Sequence, residues 1–404
     1  MVRPAVAALL AIAAASVAAC RRAAPPDLRE PPLGTWLAAY VDFAKLRDGD
    51  LPPEVAKVLG GCGLDRRAGY LAVAATPTRL YAQTRARVSS QQVRCALAGL
   101  ELLPSAESLR HDVTGDRLVA SFEIDAGARV PLDERELARY REAREAEPVA
   151  LAVHAGAPAD PPWDLALAGR DLDLTLPTEE SAFGAFGGAQ LAVDDASTLA
   201  ATLDGTLVRY HAAGGLFGED ATSVVRRRVV DGIAIPGPAM EPTLVTGDIV
   251  AFVKPKLAGE PTRGDIVVFT REGHDFVRRV LGVPGDRVGI ARGSFSLDGK
   301  PVPTRILALD HRLVDRGVER QRWSETVGAM SYEITKLNDT SPDDRELVVP
   351  SAHLYVTGDA RADSGRELVP AAAVRGRALL VAWSRGDTGV RWDRIGRWLG
   401  RPAR

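Results

Sequence analysis

The stretch from Ile233 to Val250, which reads IAIPGPAMEPTLVTGDIV, constrains the fold of this chain more than any other stretch. It belongs to a series in which short apolar runs alternate with turns rich in Gly, Pro and Asp, and the next turns lie at 263–265 and 284–286. Short runs of this kind are typical of strands in an all-β body. The sequence therefore predicts a mainly β C-terminal domain, with its clearest strands at 249–253, 266–269, 277–281 and 354–356.

Three stretches of this half resemble motifs of the type I signal peptidases, which are serine–lysine peptidases that process exported preproteins. The first is IPGPAMEPTL with its Gly-Asp turn, the second is RGDIVVF with FVRRVLGVPGD, and the third is YVTGDARADSGRELVP. The resemblance covers about residues 224–404, and it implies a β-rich core with an inserted β subdomain at about 294–348. The positions that match the family's motifs are Met240, Pro242, Thr243, Gly247, Asp248, Arg279, Gly285, Asp286, Gly358, Asp359, Arg361 and Ser364.

The positions that carry the chemistry in this family are replaced in this chain. The resemblance places the serine nucleophile at Ala239, the lysine base at Arg278 and a hydroxyl of the oxyanion site at Gly237. A methyl group cannot attack a carbonyl, and a guanidinium stays protonated at physiological pH and so cannot act as a base. Ala360 also replaces the family's Asn in the third motif. The resemblance thus predicts a signal-peptidase fold without intact catalytic residues, which is a pseudo-peptidase.

Other functions stay open at this point. Two alternatives are open for a pseudo-peptidase: it keeps the fold only as a scaffold, or it still binds extended peptides or preproteins with small side chains by strand addition. An active signal peptidase I would need a displaced nucleophile, and Thr243 and Ser364 are two hydroxyl residues that lie in the motifs. An architectural envelope lipoprotein would have its function in the N-terminal half. The sequence does not specify the oligomeric state.

The first residues predict export and a membrane tether. Arg3 precedes a short apolar run that ends in Val17-Ala18-Ala19-Cys20, which is the pattern of a signal peptide over residues 1–19. Cys20 resembles the lipid-modified cysteine of a bacterial lipobox, and residues 20–32 would form a lipid-anchored tether. The competing interpretation is an uncleaved membrane anchor, but the run is shorter than the ~20 apolar residues that a membrane-spanning helix needs. Either interpretation places the rest of the chain on the periplasmic side of a bacterial cell envelope.

Residues 33–223 predict an α+β domain that resembles no family we recognise. Strand-like runs such as 36–43 and 69–75 alternate with helical segments such as 89–99 and 134–145. Cys62 and Cys95 are the only cysteines outside the leader. In an exported protein we expect such a pair to form a disulfide, and two buried thiols are the alternative.

Composition excludes several functions. A net charge of −2 gives no overall attraction to nucleic acid. The six histidines show no ligand spacing, so neither a metal site nor a cofactor is predicted. The last twenty residues hold six Arg, two Asp and two Trp. This end could therefore lie on anionic lipid or form a solvated tail.

Overall fold

The structure is a computed structural model. It describes residues 25–400 except 49, 52, 65–67, 101, 103–108, 155, 159–162, 170, 178–190, 195–196, 205–206, 214–229, 292–293, 316–317, 338–344 and 362–364. The described chain is mostly β, with few helices. Within these ranges, no helix is both long enough and apolar enough to cross a bilayer. The predicted signal peptide, Cys20 and Ser364 lie outside the described residues.

The N-terminal part is organised around one eleven-stranded sheet in which all neighbouring strands are antiparallel. Its strands are β1 (Leu37–Asp42), β2 (Tyr70–Ala75), β3 (Arg79–Arg85), β4 (Arg110–Thr114), β5 (Arg117–Glu123), β6 (Val149–Val153), β7 (Asp164–Ala168), β8 (Asp171–Pro177), β9 (Leu191–Asp194), β10 (Ser197–Asp204) and β11 (Leu207–Ala213). Their spatial order is β4-β5-β3-β2-β1-β6-β7-β8-β11-β10-β9.

Three helices accompany this sheet: α1 (Pro53–Gly61), α2 (Ser90–Gly99) and α3 (Glu134–Ala146). Two begin with a capping box, formed by Ser89 with Gln92 and by Asp133 with Glu136, which satisfies backbone N–H groups at the helix start. Each helix overlaps a segment predicted as helical. Strands nevertheless dominate this part. The structure therefore supports a mostly β chain and does not specifically confirm the predicted α+β domain.

A disulfide joins Cys62, just after α1, to Cys95 within α2, with a Cα–Cα distance of 5.6 Å. The predicted pairing is therefore present in the structure. Replacing both cysteines by alanine should lower the free energy of unfolding by about 3–4 kcal/mol, because the disulfide closes a long loop in the unfolded chain. Urea denaturation of the oxidised protein and the double variant tests this expectation. Equal midpoints for the two proteins would contradict it.

The C-terminal part contains three further sheets. The largest has the order β12-β13-β25-β14-β15-β23-β24, with β26 beside β25. Its strands are β12 (Val230–Ala234), β13 (Asp248–Val253), β14 (Ile266–Arg271), β15 (His274–Gly282), β23 (His353–Thr357), β24 (Arg366–Pro370), β25 (Val374–Gly386) and β26 (Gly389–Val390). A short helix, α4 (Pro255–Ala258), follows β13.

The two smaller sheets are formed by the chain between β15 and β23. One has the order β18-β17-β16-β22 and consists of β16 (Arg287–Ala291), β17 (Ser294–Leu297), β18 (Lys300–Pro301) and β22 (Arg345–Val348). The other has the order β19-β20-β21 and consists of β19 (Thr304–Asp315), β20 (Val318–Val327) and β21 (Met330–Leu337). Strands β17 to β22 span the range that the sequence predicts as an insertion.

The two parts of the chain share one hydrophobic cluster. Trp36 and Trp163 from the N-terminal part belong to the same buried cluster as Leu379 and Trp392 from the C-terminal part. Arg129 reinforces this contact, because its guanidinium lies 5.0 Å from the Trp36 ring centroid and donates to the Trp392 carbonyl at 2.5 Å. The N-terminal sheet is thus packed directly against the end of the chain.

This packing shows how the C-terminal residues, which the sequence predicts to lie on lipid or to form a solvated tail, are placed. Trp392 is only 3% exposed, and Ile395 and Leu399 are also buried. The backbone N–H of Leu399 donates to the Leu379 carbonyl at 2.8 Å, which fixes the segment along β25. As far as residue 400, the end of the chain is therefore part of the folded structure and is not a solvated tail. Trp392 and Trp398 pack into the hydrophobic cluster that this segment shares with the N-terminal sheet.

Candidate functional site

Three Gly-Asp turns of the same design lie at the ends of strands in the large C-terminal sheet and support the site. In each, glycine has a φ of about 90°, and the aspartate that follows accepts from the backbone N–H three residues earlier at 2.8–2.9 Å. Glycine is favoured at such a φ because it has no Cβ. The turns are 245–248, 262–265 and 283–286. Their aspartates are buried at strand starts, which explains why short polar motifs recur in a mostly apolar sheet.

The segment that the resemblance assigns to the nucleophile is a single 3₁₀ turn, Pro238–Met240, after β12. Met240 and Leu244 are buried in a cluster with residues of β13 and β14, so they fix this turn to the sheet. Ala239, which directly precedes Met240, is half-buried, as is Gly237. The structure therefore presents the methyl group of Ala239 on a well-anchored turn.

Behind this turn lies a buried ion pair. Arg279 on β15 is 1% exposed, and it donates to both carboxylate oxygens of Asp359 at 2.7 and 2.6 Å. It also donates to the Gly264 carbonyl at 2.8 Å and to the Thr243 hydroxyl at 3.3 Å. Burial alone would lower the pKa of Arg279, but Asp359 outweighs this effect and raises it. One guanidinium thus joins all three motifs.

A second buried pair connects the motifs to the three-stranded sheet. Arg361 donates to Glu325 of β20 and to the Gly358 carbonyl, and both charged side chains are almost fully buried. Tyr332 of β21 donates to the same Glu325 carboxylate at 2.7 Å, and its ring centroid lies 3.6 Å from the Arg279 guanidinium. Burial raises the pKa of Tyr332 well above its usual value, so its hydroxyl stays a donor.

Backbone contacts join the nucleophile turn to the third motif. The N–H of Ala360 donates to the Ala239 carbonyl at 3.1 Å, and Ala360 also forms an isolated parallel bridge with Thr335 of β21. Ala360 is fully buried. The position where the family has Asn therefore still holds the turn through its main chain, although an amide side chain is no longer present.

Arg278, which stands at the predicted base position, is held differently from Arg279. Its guanidinium donates to the Val277 carbonyl at 2.8 Å and lies 5.8 Å from the Phe276 ring centroid, and its Nε is buried without a hydrogen-bond partner. Burial lowers the pKa of Arg278, an effect that nearby Glu367 opposes. Within the described residues, no carboxylate lies within ion-pair distance of this guanidinium. Its neighbour Arg279 is the first residue of β15 that pairs with β23, where it lies opposite Thr357.

Most matched motif positions form this structural network. Asp248 is fully buried and accepts from Ser384 at 2.6 Å and from Arg394 at 3.0 and 2.5 Å. Asp286 pairs with Arg263, and although burial alone would raise its pKa, this pairing lowers it. Met240, Thr243, Asp359 and Arg361 are buried as well, Gly247 and Gly285 have positive φ, and Pro242 follows a cis peptide bond.

Several side chains of the network were not predicted from the sequence. Glu325 and Tyr332 are paired opposite each other in the β20–β21 hairpin, and Arg394 comes from the end of the chain. Lys336 also lies on β21, beside the Trp323 ring at 5.1 Å, and burial lowers its pKa. The sequence predicts a β insertion at about 294–348 but neither this hairpin nor its partners, since a lone Glu or Arg on a strand gives no specific signal.

Comparison with known proteins gives the following relationships. Residues 219–383 match the family described as "Signal peptidase, peptidase S26". A probable signal peptidase I-2 of Synechocystis sp. is 34% identical over 94 residues, which are 21% of this chain and 43% of that protein. Signal peptidase IB of Staphylococcus aureus strain COL is 27% identical over 140 residues, which are 34% of this chain and 68% of that protein.

A solved structure was also found. The crystal structure of a signal peptidase I from Enterococcus faecalis V583 is 21% identical and covers 30% of this chain and 97% of that one, with a TM-score of 0.18. The chain spans less than half the length of the cyanobacterial relative. The family match, over residues 219–383, lies toward the C-terminal end of the chain.

Proposed function

We propose that this chain, whose residues 219–383 match the family described as "Signal peptidase, peptidase S26", is a membrane-tethered pseudo-peptidase of the bacterial cell envelope. It would bind extended peptides without cutting them. The observation that carries the proposal is the pair of replacements at Ala239 and Arg278, within motifs whose other side chains form a buried network. A serine–lysine mechanism needs a hydroxyl and a neutral amine, and neither of these side chains supplies one.

The network supports a kept scaffold. Arg279, Asp359 and Arg361 are costly to bury unless every charge is paired, and each of them is paired here. A chain that had lost its fold together with its chemistry would not be expected to keep such a network. We infer that the domain has retained a role that depends on its shape.

A free strand edge supports peptide binding. β15 pairs with β14 along its length but pairs with β23 only from Arg279 onward, so no described strand covers the other side of 274–278. β12 pairs only with β13 and leaves its outer side uncovered by the described strands. An extended peptide binds such edges through backbone hydrogen bonds, and neighbouring surfaces select its side chains.

The test of inactivity is cleavage of a preprotein with an Ala-X-Ala site by the detergent-solubilised full chain, at high protein concentration and long times. We expect no cleavage, because loss of a serine nucleophile costs on the order of a million-fold in turnover. The Ala239→Ser/Arg278→Lys variant is the matched control. If this variant cleaves the preprotein and the natural chain does not, the result supports a peptide-binding surface that is intact and lacks only the catalytic side chains. Cleavage by the natural chain, abolished by changing one hydroxyl, would overturn the proposal.

One observation bears on the alternative of an active enzyme. Burial lowers the pKa of Lys336, and a lysine with a lowered pKa is the type of base that a displaced site would need. If the natural chain cleaves the preprotein, Thr243→Val tests the motif hydroxyl, and Lys336→Arg tests whether this amine takes part. An architectural lipoprotein is the remaining alternative, and it predicts that no peptide binds.

A further inference from the structure

Arg278 differs from the other buried arginines around the site. Arg279 has Asp359, Arg361 has Glu325 and Arg394 has Asp248, and in each case the guanidinium donates to a carboxylate. Among the described residues, Arg278 contacts only the Val277 carbonyl and the Phe276 ring, although its Nε is out of contact with water. A guanidinium that is partly removed from water is stabilised when a carboxylate accepts from two of its N–H groups.

The acidic residue near Arg278 does not fill this role. Glu367 on β24 contributes to the electrostatics of Arg278, but its carboxylate is paired with Arg271. Arg271 is itself a like charge for Arg278, and it lowers the pKa of that residue. In the part of the chain that the structure describes, the two arginines therefore create a positive region with one carboxylate, Glu367, and such a region favours a further anion.

The free edge of β15 ends at Arg278. Beyond this residue the edge is occupied by β23, whose Thr357 pairs with Arg279. An extended peptide that lies along 274–277 and runs parallel to β15 would have to stop or turn at Arg278. A peptide that stops there brings its C terminus to the guanidinium.

We propose that Arg278 binds the free C-terminal carboxylate of a peptide that pairs with the 274–277 edge. The inference rests on the proposed function, because it names the class of peptide that the groove would take. Peptides of this class arise by hydrolysis, since each cleavage of an amide bond leaves a new carboxylate on the N-terminal fragment. A separate peptidase would supply the ligand, and this chain would hold it.

The experiment compares two fluorescent peptides that both end in Ala-Gln-Ala and differ only at the C terminus, one a free acid and the other an amide. Fluorescence anisotropy measures the binding of each to the full chain in detergent. We expect the acid to bind at least about tenfold more tightly, as a charge-assisted hydrogen bond pair allows. Arg278→Gln should reduce the affinity for the acid to that for the amide. Arg287→Gln is the matched control, because Arg287 is exposed and lies on another sheet, and it should change neither affinity.

Each other result has a distinct meaning. Equal binding of acid and amide to the natural chain would overturn the carboxylate inference and leave the proposed peptide binding intact. Absence of binding for both peptides, with an unchanged thermal transition in the Arg278→Gln protein, would overturn the peptide-binding proposal as well. Inorganic phosphate is tested alone by calorimetry. If it binds with the same dependence on Arg278 while the peptides do not, the site takes a free anion and the peptide inference fails.

Discussion

Replacing Asp359 by alanine should lower the free energy of unfolding by about 3–5 kcal/mol, because it leaves the buried Arg279 without its carboxylate. Both side chains are almost inaccessible to solvent, so water cannot replace the lost partner. Arg361 lies 3.8 Å from the same carboxylate, and its environment also becomes more positive. Urea denaturation followed by circular dichroism measures the change.

Two controls separate this effect from a general loss of charge. Glu346→Ala removes the partner of Arg287 in an exposed pair and should change the free energy of unfolding by less than about 1 kcal/mol. Arg279→Met with Asp359→Leu replaces both buried charges by apolar groups and should cost less than Asp359→Ala alone. A loss below about 1 kcal/mol in Asp359→Ala would show that the pair does not stabilise the fold.

The Gly-Asp turns show which parts of the fold follow from the sequence. Gly247 and Asp248 are adjacent, and both the positive φ and the hydrogen bond to Val245 arise within four residues. Local motifs of this kind can be recognised without knowledge of the tertiary structure. The mainly β character of the C-terminal part was predictable for the same reason, since each short strand is bounded by its own turn.

The partners of the motif residues were not predictable in this way. Glu325 is 36 residues from Arg361, and Arg394 is 146 residues from Asp248. Many charged residues lie at comparable positions in the sequence, and only the packing of the sheets selects among them. The replacements at Ala239 and Arg278 could be read directly from the sequence. That Arg278 has no carboxylate partner among the described residues could only be learned from the structure.

In the N-terminal part, local sequence patterns predicted the helices and the disulfide but not the pairing of distant strands. Its helices were predicted by periodicity and its disulfide by cysteine usage, whereas the single sheet of eleven strands requires long-range pairings such as β1 with β6. Its contact with the C-terminal segment was not predicted either. Trp392 and Trp398 lie among arginines, a composition that also suits a membrane surface or a solvated end.

Replacing Trp392 by alanine should lower the free energy of unfolding by about 3–5 kcal/mol, because it opens a cavity where the two parts of the chain meet. The Trp392 ring packs against Trp383 at 6.2 Å, and its neighbours in the cluster include Trp36. Calorimetry and urea denaturation of the full chain measure the loss. The matched control is Leu33→Ala, because Leu33 is fully exposed and its truncation should change stability by less than about 0.5 kcal/mol.

The Trp392 variant also tests how the two parts depend on each other. If the shared cluster holds the N-terminal sheet to the signal peptidase I-like domain, Trp392→Ala should lower the stability of both, as reported by the fluorescence of the remaining tryptophans and by exposure of the Cys62–Cys95 disulfide to reductant. Arg129→Ala should act in the same direction, because its guanidinium bonds the Trp392 carbonyl. A loss confined to one part would mean that the two fold separately and that the N-terminal sheet does not support the proposed peptide-binding site.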